Sequence, residues 1–305
     1  MEYKRVNWGF FVFLILEIVL ILLFVFDVIN VDLEDTMIST LVAESTIFLA
    51  PVIMLSFNRD DIKLSDRLGL KGMKLSTTAM VVLYGIFIMP VGTLANAISL
   101  LWVDNTVLDS TGAMLSQNWI VVLIATAVIA PLVEEFWFRG FMYNGYRQDK
   151  IRFSAVIVSA LAFAFMHMNV NQAAYAFIVG IAFALIYEAT GSLWSSVICH
   201  GLFNAESVIF MYLEEYFYPG TYDDLTINRD EIMSYLPFYA LLAVGALIFA
   251  ILFLYLAAKF QNRIKNVRGL FEPYKDGEKK PKIFSAPLVV TLILLFSYMI
   301  LNEIG

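Results

Sequence analysis

Nine stretches of the chain are apolar over a length that approaches or reaches a membrane crossing: 8–28, 37–57, 77–102, 119–141, 154–168, 173–189, 193–213, 237–258 and 284–301. A helix spanning the hydrocarbon core needs about 20 mostly apolar residues. The fifth and sixth stretches are shorter and are joined by Asn169-Val170-Asn171-Gln172, which predicts a tight helical hairpin around a polar centre. The pattern predicts an all-α polytopic membrane protein, one membrane domain over 1–305, with eight to nine transmembrane helices around a polar intramembrane cavity.

The loops test that count independently, because cytoplasmic loops collect Lys and Arg. With the N-terminus cytoplasmic, nineteen of the 20 basic residues fall in cytoplasmic segments: near Lys4 and Arg5, in 58–76, in 139–152 and in 259–282. Only Arg229 falls outside, in a loop rich in Asp and Glu. The C-terminus then lies outside the cell. The 58–76 loop alternates charges with Leu64, Leu68, Leu70 and Leu75 and predicts a short amphipathic helix on the interface. The basic 259–282 loop is expected to touch anionic headgroups.

Composition agrees. The chain is 60% hydrophobic with a mean hydropathy of +0.77, and 15% of its residues are charged, against roughly 25% in soluble domains. The net charge of −7 says little about partners, since the charges are confined to loops. No basic surface with interleaved aromatics is present, which argues against nucleic-acid binding. The lone Cys199 excludes an intrachain disulfide and a multi-cysteine metal cage. The run at 8–28 exceeds the about 7–15 apolar residues of a signal peptide and has no small-residue cleavage site after it, so it is read as an uncleaved first span.

Against this apolar background, Val133-Glu134-Glu135-Phe136-Trp137-Phe138-Arg139 stands out. Ionised carboxylates inside a bilayer are costly and normally face the protein interior with a task. Residues four apart share a helix face, so Glu135 is expected to pair with Arg139. Glu134, turned about 100° away, is free to point elsewhere. Pro131 frees the carbonyl of Ala127 and predicts a kink just above the acids. The bland reading is that both glutamates serve interhelical hydrogen bonding or sit at the interface.

Only two histidines occur, His167 and His200. Phe163 lies one turn before His167. His200 and Asn204 share a face with Gly201 leaving room beside them, an arrangement able to present two donors to one oxyanion. A packing histidine and a polar interhelical clasp are the corresponding structural alternatives. Counting 1.5 Å per residue puts Glu134, His167 and Asn204 at a similar depth, with His200 one turn nearer the cytosol. Glu17, Glu44, Asn96, Glu188 and Glu206 are weaker candidates. Cys199 points about 100° away from His200, against a thiol–imidazole pair.

Glu134-Glu135-x-x-x-Arg139, Phe163-x-x-x-His167 and His200-x-x-x-Asn204 together resemble the three motifs of the CAAX-protease and bacteriocin-processing family, which includes the type II CAAX prenyl endopeptidase. The resemblance covers roughly 119–210, the expected catalytic core. It implies an intramembrane endopeptidase acting on a membrane-associated, CAAX-type prenylated or unmodified, protein or peptide. Glu134 would be general base on a water, His167 would position that water, and His200 with Asn204 would hold the oxyanion. Glu135 and Arg139 would be support. No cofactor is expected; the alternative is a zinc site of Glu134, His167 and His200. A non-catalytic immunity or scaffold protein binding a peptide in the same cavity is the rival function. The short loops suggest a prokaryotic cell membrane.

Overall fold

The protein is described by a computed structural model covering residues 2–26, 63–104, 107–222, 228–275, 277 and 282–304, and every regular element among them is helical. In chain order these are α1 (Glu2–Val25), α2 (Leu64–Leu68), α3 (Leu75–Ser99), α4 (Val107–Leu115), α5 (Trp119–Gln148), α6 (Phe153–Met166), α7 (Val170–Thr190), α8 (Leu193–Phe217), α9 (Arg229–Phe260), α10 (Ile264–Gly269) and α11 (Ala286–Ile304). Six of them, α3, α5, α7, α8, α9 and α11, are long and apolar enough to cross a membrane. The first apolar run lies in α1 as far as Val25. The second, with Glu44, falls outside the described residues. The fifth is the 14-residue α6, shorter than a full crossing.

Local chemistry sets the boundaries. Asn118 caps α5 by accepting from the Ile120 N–H at 2.9 Å. α6 stops at His167, Met168 takes a left-handed φ of 51°, and Asn169 caps α7 by accepting from the Gln172 N–H at 2.7 Å. The predicted hairpin is thus two helices joined through one cap. α7 ends at Gly191, whose φ of 68° favours glycine. α9 begins earlier than its apolar run, because Asn228 caps it and Asp230 and Glu231 suit the positive end of the helix dipole.

The basic loops gather at one end of the bundle. There the Leu193 N–H donates to Gly69 O, the Phe153 N–H to Leu270 O, and Lys74 Nζ to Phe260 O. The opposite end joins Arg229 to Asp104 at 3.0 Å, and Tyr212 to the carbonyls of Met114 and Gln117. The helix expected in the 58–76 loop is α2, and it packs one face on the bundle while Ser65 and Asp66 stay exposed. Leu68 is fully buried against Gly140 of α5, and Asn144 donates to the carbonyl of Arg67. Leu68 is buried and Leu70 half-buried against the bundle, whereas Leu75 at the start of α3 is exposed.

Packing follows membrane rules, where apolar surface gains nothing by leaving lipid and close backbone approach matters more. α9 turns Ala243, Ala246, Ala250, Ala257 and Ala258 inward, while Leu241, Val244, Ile248 and Ile251 stay exposed. α3 packs along it, with Phe87 against Phe249 and Phe253. α7 is the most enclosed of the six long helices. On the other flank, Phe10 and Phe13 of α1 meet Phe138 and Trp137 of α5. Fully buried Asn7 accepts from the Tyr146 hydroxyl and donates to Ile283 O and Ser285 Oγ, closing α1, α5 and the entry to α11 together.

Candidate active site

The acidic pair sits where α5 departs from ordinary helix. Residues 125–129 and 136–143 are π-helical, and only 130–135 between them is α-helical. A π-turn pairs each carbonyl with the N–H five residues on. For Thr126 that partner would be Pro131, which has no N–H. The Thr126 carbonyl instead accepts from Asn204 Nδ2 at 2.8 Å. α8 can come this close because position 201 is glycine: a Cβ there would stand 2.6 Å from Ala127 O. The proline thus releases a carbonyl and the facing helix takes it up.

Glu135 and Arg139 are both fully buried and pair at 2.7 Å, as their spacing predicts. Arg139 is therefore a core residue and not one of the loop cations. Its Nη2 donates to the Gly180 carbonyl at 2.8 Å, and its guanidinium lies over Phe163 at 4.6 Å and Phe183 at 5.4 Å. His200 Nδ1 donates to the same Glu135 Oε1 at 3.0 Å. Its ring is held edge-on to Phe163 and stacked on Phe183 at 5.0 Å. With Nδ1 committed to a carboxylate, the free nitrogen is Nε2, and it stands 3.9 Å from Glu134 Oε2.

Glu134 differs from its neighbour. Its side chain is 16% exposed, yet Oε2 is buried with no hydrogen-bond partner. Glu135 Oε2 is likewise unpartnered. His167 places Nδ1 2.8 Å from the Phe163 carbonyl, which only accepts, so the proton is on Nδ1 and Nε2 offers a lone pair. The Phe163 ring contacts His167, His200 and Arg139. Glu134, Glu135, Arg139 and His200 thus form one contact set, and Phe163 joins His167 to it. Asn204 attaches to α5 about two turns before Glu134, in the interhelical clasp that was the structural alternative. Its amide retains a second N–H.

Among the described residues, no three His, Cys, Asp or Glu side chains converge closely enough to hold a metal ion. Cys199 directs its sulfur to Val81 O on α3, away from the histidine chemistry. Beside Asn204, between α3, α7 and α8, lies a polar cleft of about 240 Å³ that includes Asn96 and Glu206.

Two supports were not visible in the chain. Phe183 and the Gly180 carbonyl come from the stretch 173–187 of α7, which carries no charged residue on any side, so no periodicity marked them. Glu188, read as a helix-end residue, is 2% exposed and saturated: Arg147 Nε and Nη2 donate to its two oxygens at 2.9 and 2.8 Å, and Tyr143 donates at 2.7 Å. Arg263 stands 3.8 Å away and also donates to the Glu188 backbone carbonyl.

Residues 116–205 match the family model described as "Type II CAAX prenyl endopeptidase Rce1-like", so this part of the chain is a domain of that family. Among curated proteins, the chain is similar to "UPF0177 protein in abiGi 5'region" of Lactococcus lactis subsp. cremoris, 37% identical over 83 residues, 27% of this chain and 34% of that protein. It is also similar to "UPF0177 protein YaiH" of Lactococcus lactis subsp. lactis, 36% identical over the same shares. "Putative membrane peptidase YdiL" of Bacillus subtilis is 25% identical over 92 residues, 30% of this chain and 37% of that protein. The aligned region spans about a third of the length of these bacterial relatives. No solved structure matches significantly.

Proposed function

We propose that the protein is an intramembrane endopeptidase that hydrolyses a peptide bond of a membrane-associated protein or peptide with a water activated by Glu134. The observation that carries this reading is the buried, unpartnered Glu134 Oε2 facing His200 Nε2. A carboxylate denied partners in a low-dielectric site is a strong acceptor for the proton of a water. His167 Nε2, with its lone pair free, accepts from that water and orients it. The water oxygen attacks the scissile carbonyl as its proton passes to Glu134. His200 Nε2, when the ring carries both protons, and the second Asn204 N–H donate to the resulting oxyanion. Collapse expels the amine, which takes the proton from Glu134. The Glu135–Arg139 pair fixes His200, and the two phenylalanines hold its ring plane.

The chain sits in a prokaryotic cell membrane in this reading, with its basic end and N-terminus cytoplasmic, its C-terminus outside, and eight or nine spans around a hydrated polar chamber. Substrates are farnesylated CAAX-type or unmodified segments, and no metal takes part. The test is cleavage of farnesylated and unmodified peptides by the detergent-purified protein, with and without a strong chelator. Chelator-indifferent cleavage lost in Glu134→Ala and His167→Ala supports the reading. Loss with chelator and recovery with zinc would make Glu134, His167 and His200 metal ligands. An intact cellular phenotype in Glu134→Ala would leave a non-catalytic immunity or scaffold role.

A further inference from the structure

The cleft between α3, α7 and α8 is lined by polar groups that the proposed chemistry does not use. Its one charged lining residue is Glu206, which has no hydrogen-bond or ion-pair partner among the described residues. Asn171 is 1% exposed; its Nδ2 donates to Asn96 Oδ1 at 2.9 Å and Ser99 Oγ at 2.7 Å, leaving Oδ1 buried and unpartnered. Thr93 donates its hydroxyl proton back to Met89 O, which leaves oxygen lone pairs. The Asn171 amide and Thr93 hydroxyl donors are turned into the helices, and the Glu206 carboxylate and Asn171 Oδ1 remain as acceptors. No basic residue lines the cleft.

We infer that this cleft is a specificity subsite for a cationic side chain, Lys or Arg, of the peptide substrate. An ammonium or guanidinium brings several donors and one positive charge, which meets the carboxylate and the orphan acceptor together. A neutral donor such as Gln leaves the Glu206 charge unpaired, and an acidic side chain repels it. In a membrane a cation is tolerated where a carboxylate or polar oxygens receive it. Ser207 lies on the same helix face as Asn204, one turn along α8, and a turn rises about 5.4 Å. At about 3.3 Å per residue of extended chain, the cationic residue stands about one or two residues from the scissile bond.

This subsite rests on the endopeptidase reading for its meaning, and binding tests it separately from hydrolysis. Full-length Glu134→Gln protein in detergent is incubated with nine-residue peptides built from Ala, Leu, Ser and Val, each carrying one Lys, Arg, Gln or Glu at a scanned position. Retained peptides are quantified by mass spectrometry. Lys and Arg members are expected to be enriched at least about tenfold over their Gln counterparts, the scale of one charged hydrogen bond. Glu206→Gln levels the enrichment, and Glu206→Lys shifts it to Glu. Equal retention of all members, no retention, or a cationic preference that survives Glu206→Gln overturns the subsite. Preferential retention of peptides that the Glu134-intact protein never cleaves would defeat the endopeptidase reading and leave the subsite standing.

Discussion

Two glutamates on neighbouring helices have opposite surroundings. Glu188 of α7, 2% exposed, receives a forked Arg147, the Tyr143 hydroxyl and a second arginine nearby. Glu134 of α5, more open at 16%, has a buried oxygen with nothing on it and a histidine nitrogen 3.9 Å off. The deeper carboxylate is the one with every bond made, and the more open one is the one left short of partners. A buried charge with every lone pair occupied fastens helices together, since losing any partner strands the rest. A carboxylate with no protein partner on a buried oxygen carries an energetic deficit that a water or a bound ligand relieves. Glu135 lies between: one oxygen serves Arg139 and His200, and the other is empty.

Replacement of each residue sharpens the contrast. Glu134→Gln keeps the shape, and peptide cleavage is expected to fall by about 10⁴-fold, the upper range for loss of a general base, with no drop in melting temperature; stopped peptide assays and a thermal scan read both. Glu188→Ala is expected to behave in the opposite way. It should cost about 3–5 kcal/mol of stability, the usual penalty for stranding a buried partner, while folded molecules retain their turnover; denaturation in detergent and activity per folded molecule check this. Asn204→Ala should lower cleavage about 10²–10³-fold if its second N–H serves the oxyanion, with the effect in kcat rather than KM. Tyr143→Phe removes one of the Glu188 bonds and leaves both arginines, so about 1 kcal/mol is expected, near the limit of a thermal scan.

The Glu135–Arg139 pair was legible because i,i+4 spacing states a contact directly. Counting helical rise put Glu134, His167 and Asn204 at one depth with His200 one turn nearer the cytosol; the structure instead sets His200 Nε2 3.9 Å from Glu134 and Asn204 on the Thr126 carbonyl, about two turns earlier along α5. The π-turns on either side of the acids were not legible. Pro131 announced a freed carbonyl, but one extra residue per turn leaves no compositional mark, and that turn decides which carbonyl Asn204 meets. Phe183 was invisible for another reason: residues 173–187 of α7 carry no charge on any face, so nothing distinguished the side touching Arg139 and His200. The saturation of Glu188 depends on Arg147 and Arg263, which arrive from two other segments. The nine-run pattern anticipated an all-helical bundle, and six of its runs are long crossing helices among the described residues.

The central claim is that Glu134 is unsaturated because it acts on water. Single-turnover cleavage and melting temperature measured side by side on Glu134→Gln and Glu188→Gln test it most directly. The account predicts a crossover: Glu134→Gln melts with the wild type and does not cleave, and Glu188→Gln melts lower and cleaves. Wild-type cleavage by Glu134→Gln would contradict it.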